Sequence, residues 1–180
     1  RRAPAFAVRG IYAYFDTPHE SRRAFMARNR LNFFHGEDAL TGAERFGVAP
    51  VFDVPLPAHT YYSYTCDWPA GDDECFALAP DGTRPRATSG SGPGQICFTN
   101  PETRRRFASQ LRERIERDRA RYPEGRRPVI YDISQNDNNT RCECPECLAR
   151  AAVYGSYSGV VLEFINALAD SAAEYAPEVK

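Results

Sequence analysis

Apolar runs of strand character alternate with helix signals along this chain, and no other feature limits its fold so tightly. Ala5–Phe15 (AFAVRGIYAYF) reads as a first strand, rich in β-branched and aromatic residues. Thr17, Pro18 and Glu20 then supply an N-cap, a first-turn proline and a capping-box acid. The helix they open is expected to reach about Arg28 and to bury Ala24 and Phe25. Leu31–His35 is a second strand, Glu37–Phe46 a short helix stopped at Gly47, and Val48–Val54 a third strand. Asn100-Pro101 opens the clearest helix, in which Phe107, Leu111 and Ile115 recur every four residues. It ends near Tyr122, ahead of Pro123 and Gly125. Val129–Ser134 is a fourth strand. Ser158–Tyr175 is a last helix with Val161, Phe164, Ile165, Leu168 and Ala172 on one face.

An order of β-α-β-α-β-loop-α-β-α demands a parallel sheet with helices outside it. Two architectures satisfy it: the N-terminal half of a (β/α)8 TIM-type barrel, with a long loop after strand 3, or a doubly wound open sheet. The chain length of 180 residues and the break-off at Ala176-Pro177-Glu178-Val179-Lys180 favour the half-barrel. On this reading residues 1–180 are one partial domain truncated at its C-terminal end, with further domains of the same chain to follow. Residues 55–98 lack helical or strand period and form a long inserted loop, folded rather than disordered because Tyr61, Tyr62, Tyr64, Trp68 and Phe76 lie in it.

The formal net charge of −1 gives no field that would draw nucleic acid. Arg104-Arg105-Arg106 heads a basic run, but Glu102, Glu113, Glu116 and Asp118 interleave with it, so it reads as a solvated helix face. No apolar run approaches the ~18 residues of a membrane span. Six cysteines are present, and Cys66 and Cys75 flank an Asp/Gly/Pro-rich stretch that a disulfide would close. Such a bridge implies a secreted or periplasmic setting. Cys142, Cys144 and Cys147 offer three thiolates at metal-ligand spacing, and Cys97 is available as a fourth. A structural zinc site is the first reading and disulfides among the four the second. Neither is catalytic, because four sulfur ligands leave no position for water.

In parallel β/α folds the working edge is the C-terminal end of the strands. Here that edge collects Asp16, His35, Glu37, Asp53, His59, Gln135, Asn136 and Asp137. Carboxylates, imidazoles and amides roofed by aromatic rings suit a sugar. Asp137 is the candidate general acid, and no cofactor is required for that chemistry. Arg9, His35, His59 and Asn136 are candidate ligands of the sugar hydroxyls, with Tyr61 and Trp68 to stack on its ring. Each has a plainer reading: an Asx turn for Asp137, a solvated loop for His59, an internal ion pair for Arg9.

The residues Gln95-Ile96-Cys97-Phe98-Thr99-Asn100-Pro101, Ser134-Gln135-Asn136-Asp137-Asn138, Cys142-Glu143-Cys144-Pro145-Glu146-Cys147 and Phe164-Ile165-Asn166 together resemble domain-of-unknown-function family 4838. That family looks like part of the glycosidase TIM-barrel superfamily, with a distant likeness to hexosaminidases and α-glucuronidases. Arg9-Gly10 is similar to their first-strand Arg-Gly, and Leu31-Asn32 with His35 to their second-strand Asn and His. Asp53 with Pro55 and His59 resembles their third-strand loop without its glycine and short spacing, and Asn136-Asp137 falls where their acid lies. Hexosaminidases have Asp-Glu there and this chain has Asp-Asn. The resemblance implies a glycoside hydrolase when full length, acting on a polysaccharide or oligosaccharide, with this stretch inactive by itself. A non-catalytic carbohydrate-binding barrel and a metal-stabilised interaction domain are the alternatives.

Overall fold

A computed structural model describes residues 6–10, 19–33, 49, 51–52 and 58–180. Five α-helices are described: α1 (His19–Arg28), α2 (Tyr61–Thr65), α3 (Pro101–Arg121), α4 (Pro145–Tyr154) and α5 (Tyr157–Ala173). Helix α3 starts as its sequence requires. The Asn100 side chain accepts hydrogen bonds from the amides of Glu102 and Thr103, and Pro101 occupies the first turn, where no N–H is needed. Its buried residues, Thr103, Phe107, Leu111 and Ile115, form one stripe. Ser156 caps α5, whose buried residues Val160, Phe164, Leu168 and Ala172 form the matching stripe.

The two stripes meet edge to face, Phe107 against Phe164 at 5.4 Å between ring centroids. Tyr61 of α2 inserts beside them, 5.6 Å from Phe107, and Phe98 closes the cluster 5.5 Å from Phe164. Such edge-to-face contacts add to the burial of the rings themselves. Helix α4 ends at Gly155 in the left-handed conformation (φ 65°) and turns at once into α5. A Cβ on Gly159 would fall 2.4 Å from the Tyr154 side chain, so this turn closes only over a glycine.

The half-barrel expectation is overturned. The described residues hold helices and no strand, and two isolated bridges are the β pairing they show, Gly10 with Phe33 in parallel and Phe76 with Ile96 antiparallel. The expected strand segments do touch. Arg9 O accepts from the amides of Asn32 and Phe33, Asn32 O from Val51, Phe52 O from Val129 and Ile130, and Lys180 O from Tyr131. These are contacts one or two residues wide, not ladders. The reason is visible at the fourth segment: Thr60 Oγ1 donates to Asp132 O and the Tyr61 amide to Ser134 O, so the start of α2 takes the carbonyls a neighbouring strand would need. At the first, Phe6 and Val8 are exposed, where a strand of a parallel sheet would bury them.

Other expectations fare unevenly. Helix α1 ends at Arg28 as anticipated, yet it buries Met26 and Ala27 while Phe25 stands 55% exposed. Its expected cap at Thr17, and the helix expected over residues 37–46, lie outside the described residues. Residues 58–98 are folded, around α2 and a 3-10 turn at Asp73–Cys75. Helix α4 was not anticipated at all. No described helix is long and apolar enough to cross a membrane.

Truncating the shared ring, Phe164→Ala, is expected to cost about 3–5 kcal/mol by chemical denaturation. A smaller effect carries a pH signature. Hydrogen bonds from Arg105 and Arg106 hold the Glu102 carboxyl down at about 2 from its ordinary 4.5. Its folded value is the lower one, so its contribution is complete above about 4.5 and is lost as pH falls toward 2. Glu102→Gln should therefore lower the thermal midpoint at pH 7 and lose that difference from wild type as the pH approaches 2.

Candidate functional site: a four-cysteine centre and a His–Asp edge

Cys97, Cys142, Cys144 and Cys147 are all buried, with sulfur atoms within 4.8 Å of one another. Three pieces of chain bring them together. Cys97 ends an extended segment whose amide bonds back to Cys75 O. Cys142 follows the polar loop after residue 134, and its amide donates to the Tyr157 hydroxyl at 2.9 Å. Cys144 caps α4, its sulfur accepting from the Cys147 amide, and Cys147 lies in the first turn of that helix.

The spacing suits one metal ion. A tetrahedral centre with metal–sulfur bonds of ~2.3 Å has sulfur–sulfur edges of ~3.8 Å. Cys97 lies 3.7 Å from Cys144 and 3.9 Å from Cys147. Disulfides require ~2.05 Å, and all six cysteines are free. The surroundings suit thiolates. The Leu78 amide donates to the Cys142 sulfur at 3.3 Å, and Thr99 Oγ1 lies 3.2 Å from the Cys147 sulfur. Hydrogen bonds from Cys142 and Cys97 hold the Cys147 thiol well below its ordinary range, while the bonds of Cys142 with Cys147 and Cys97 push its own thiol up. A divalent ion would let all four sulfurs bind as thiolates. A cavity of about 370 Å³, lined in part by Glu74, Arg84, Thr99, Cys97 and Cys144, adjoins the centre.

The Cys66–Cys75 disulfide is corrected. Cys66 is exposed and Cys75 buried, and neither is bridged. The secreted or periplasmic setting inferred from that bridge loses its support.

Of the residues expected to meet a sugar, His59 and Asp137 come together. His59 Nε2 and Asp137 Oδ2 are 3.9 Å apart, with side chains 43% and 68% exposed. His59 Nδ1 sits 3.1 Å from Gln135 O, which assigns the ring proton to Nδ1 and leaves Nε2 facing the carboxylate. Ala58 (φ 107°) and His59 (φ 57°) both hold positive φ, a strained state for side-chain-bearing residues of the kind that collects at functional sites. Gly90 packs beneath: a Cβ there would lie 3.1 Å from His59, and Gly90 O accepts the Asp137 amide at 2.7 Å.

The other candidates lie elsewhere. Asn136 is buried, its Oδ1 accepting from the Tyr62 amide, so it builds the loop and does not face a ligand. Tyr61 and Trp68 are core residues, and their rings are not open for stacking. The Arg9 guanidinium donates to the carbonyls of Arg30, Phe6 and Ala7. His35, Asp53 and Glu37 lie outside the described residues. Gln95 entered the sequence reading only as part of a family motif and was given no role, although it is almost wholly buried and bonds the Asp137 loop. Its place two residues before Cys97 in an extended segment was the available signal.

The sequence matches, over residues 1–180, the family described as "Domain of unknown function (DUF4838)". No curated protein and no solved structure matches it.

With no reductant, a thiol reagent should react fast with Cys66 alone in the native state, and with six thiols after unfolding in the presence of a chelator. Four thiols after unfolding would restore the Cys66–Cys75 bridge.

Proposed function

The chain belongs to the DUF4838 family, and from that premise we propose that it is a zinc-organised part of a carbohydrate-active hydrolase, with Asp137 as general acid beside His59. The observation that carries the zinc is the set of four buried sulfurs within 4.8 Å. Four thiolates at tetrahedral spacing favour a soft, four-coordinate ion, and zinc is the ordinary occupant of such a set. With every position taken by sulfur the ion is structural. It joins the segment ending at Cys97, the loop at Cys142 and the start of α4, which hydrogen bonds alone would otherwise hold. Structural zinc in small domains is worth about 10–16 kcal/mol. That equals the whole stability of many domains, about 5–15 kcal/mol.

The hydrolytic reading is supported by the family resemblance to glycosidases and by the His59–Asp137 pair. A gap of 3.9 Å is too long for a direct hydrogen bond. It admits a ligand hydroxyl that bonds both groups. Asp137, exposed and between two asparagines, becomes an effective acid when a bound sugar covers it and excludes water. His59, with Nδ1 turned to Gln135 O, keeps Nε2 free to bond a ligand hydroxyl. A two-carboxylate mechanism needs a second acid group.

Metal analysis of the purified protein should return one zinc per chain, and Cys147→Ser should lower that occupancy and the thermal midpoint together. A wild type with no bound metal after zinc loading sinks the metal reading. For the acid, the full-length protein is assayed on a panel of aryl glycosides, where Asp137→Asn should cost about 10²–10⁴-fold in turnover with zinc content unchanged. Full activity in that variant removes Asp137 from the role. Oligosaccharide binding without any cleavage by wild type points to a carbohydrate-binding protein.

A further inference from the structure

Two backbone segments run side by side between the cysteine centre and the His59–Asp137 edge, residues 92–97 and 136–142. At one end they are joined by Cys97, Cys142 and Cys144. Toward the other, three side-chain amides make the join, those of Gln95, Asn136 and Asn138. Gln95 is 1% exposed, and its amide meets the backbone of Asn136 on both sides: Nε2 donates to Asn136 O at 2.7 Å and Oε1 accepts from the Asn136 amide at 3.2 Å. Nε2 also reaches Asn138 Oδ1 at 3.2 Å. Asn138 returns the bond by donating from Nδ2 to Gly92 O at 2.7 Å and Gly94 O at 3.2 Å, and Asn136 Nδ2 donates to Gly94 O at 3.2 Å. Residues 136 and 138 are thus both fastened to the opposite segment. Asp137 stands at the apex between them, its carboxyl exposed and its amide held by Gly90.

We infer that Gln95 is a positioning residue for Asp137, fixing the acid's loop against the segment that the cysteine centre anchors. The inference rests on the proposed role of Asp137 and deepens it. A buried amide that satisfies both backbone polar groups of one residue acts like a β-bridge supplied by a side chain, and an apolar replacement strands that residue's N–H and C=O. Gly94, at φ 91° with Pro85 O 2.3 Å from where its Cβ would be, lies tight against Pro85, and its carbonyl accepts from Asn136 and Asn138. Cys97, two residues on, fixes its far end.

The test is amide hydrogen exchange on the zinc-loaded full chain. Gln95→Met keeps length and volume while deleting the hydrogen bonds, so folding is retained. The amides of Asn136 and Asp137 should then exchange about tenfold faster, with α3, α5 and the zinc content unchanged. Asn138→Ala removes one of the three bonds Gln95 makes together with Asn138's own bonds to Gly92 O and Gly94 O, but leaves the Asn136 amide on Gln95, so that amide should quicken less than in Gln95→Met. Unchanged protection at residues 136 and 137 in Gln95→Met overturns the inference and leaves the roles of zinc and Asp137 standing. Protection lost throughout α3 and α5 overturns it as well, by reducing Gln95 to a residue of general stability. An Asp137→Asn protein with full activity refutes the acid itself, whatever Gln95 does to exchange.

Discussion

The structure turns on four consecutive residues, Gln95 to Phe98, in an extended segment whose side chains alternate between two environments. Ile96 and Phe98 point into the aromatic core with Phe107 and Phe164, while Gln95 holds the Asp137 loop and Cys97 enters the sulfur cluster. A period of two is what an extended backbone imposes. It lets one short stretch fasten a hydrophobic core and a polar site to each other, so neither can shift without the other.

The sulfur cluster is the complementary constraint. Cys97 comes from the segment fixed in the core, whereas Cys142 and Cys144 flank Glu143, which offers little apolar surface to bury. Hydrophobic packing holds α3 on α5 without help, but the loop from residue 134 to α4 has only hydrogen bonds and sulfur. Four thiols in one buried pocket cannot all ionise, nor can they pair as disulfides at the distances seen. A shared cation would relieve both problems at once and would fix where the neighbouring loop lies. At the other end of that loop, two positive-φ residues present His59, the kind of backbone cost that surrounding contacts must over-determine.

Much of the helical half was legible. The cap at Asn100, the proline at the first turn and the four-residue stripe of α3 are local signals, and the structure obeys them. So is the apolar face of α5. Helix α4 was hidden because its cap is a cysteine, whose spacing reads first as a ligand motif, and because its exposed residues, Val153 and Tyr154 among them, blur the polar face. The strands misled for another reason. A run such as Val129–Ser134 has the composition of a strand, yet a strand exists only where a partner offers its hydrogen bonds, and Thr60 and Tyr61 had claimed those carbonyls. Tyr61 and Trp68 failed as sugar-stacking rings because an aromatic in a loop looks the same in sequence whether it roofs a site or fills a core.

The sequence by itself determined the three-thiol motif at Cys142, Cys144 and Cys147 and the capped start and the stop of α3, since each depends on residue type and short spacing. Tertiary structure alone decided that Cys97 joins three sulfurs 45 to 50 residues away, that Gln95 clasps the Asp137 loop, and that the extended runs stay unladdered. Those outcomes depend on which distant groups compete for the same carbonyls, amides and buried space. That competition has no signature in any one segment.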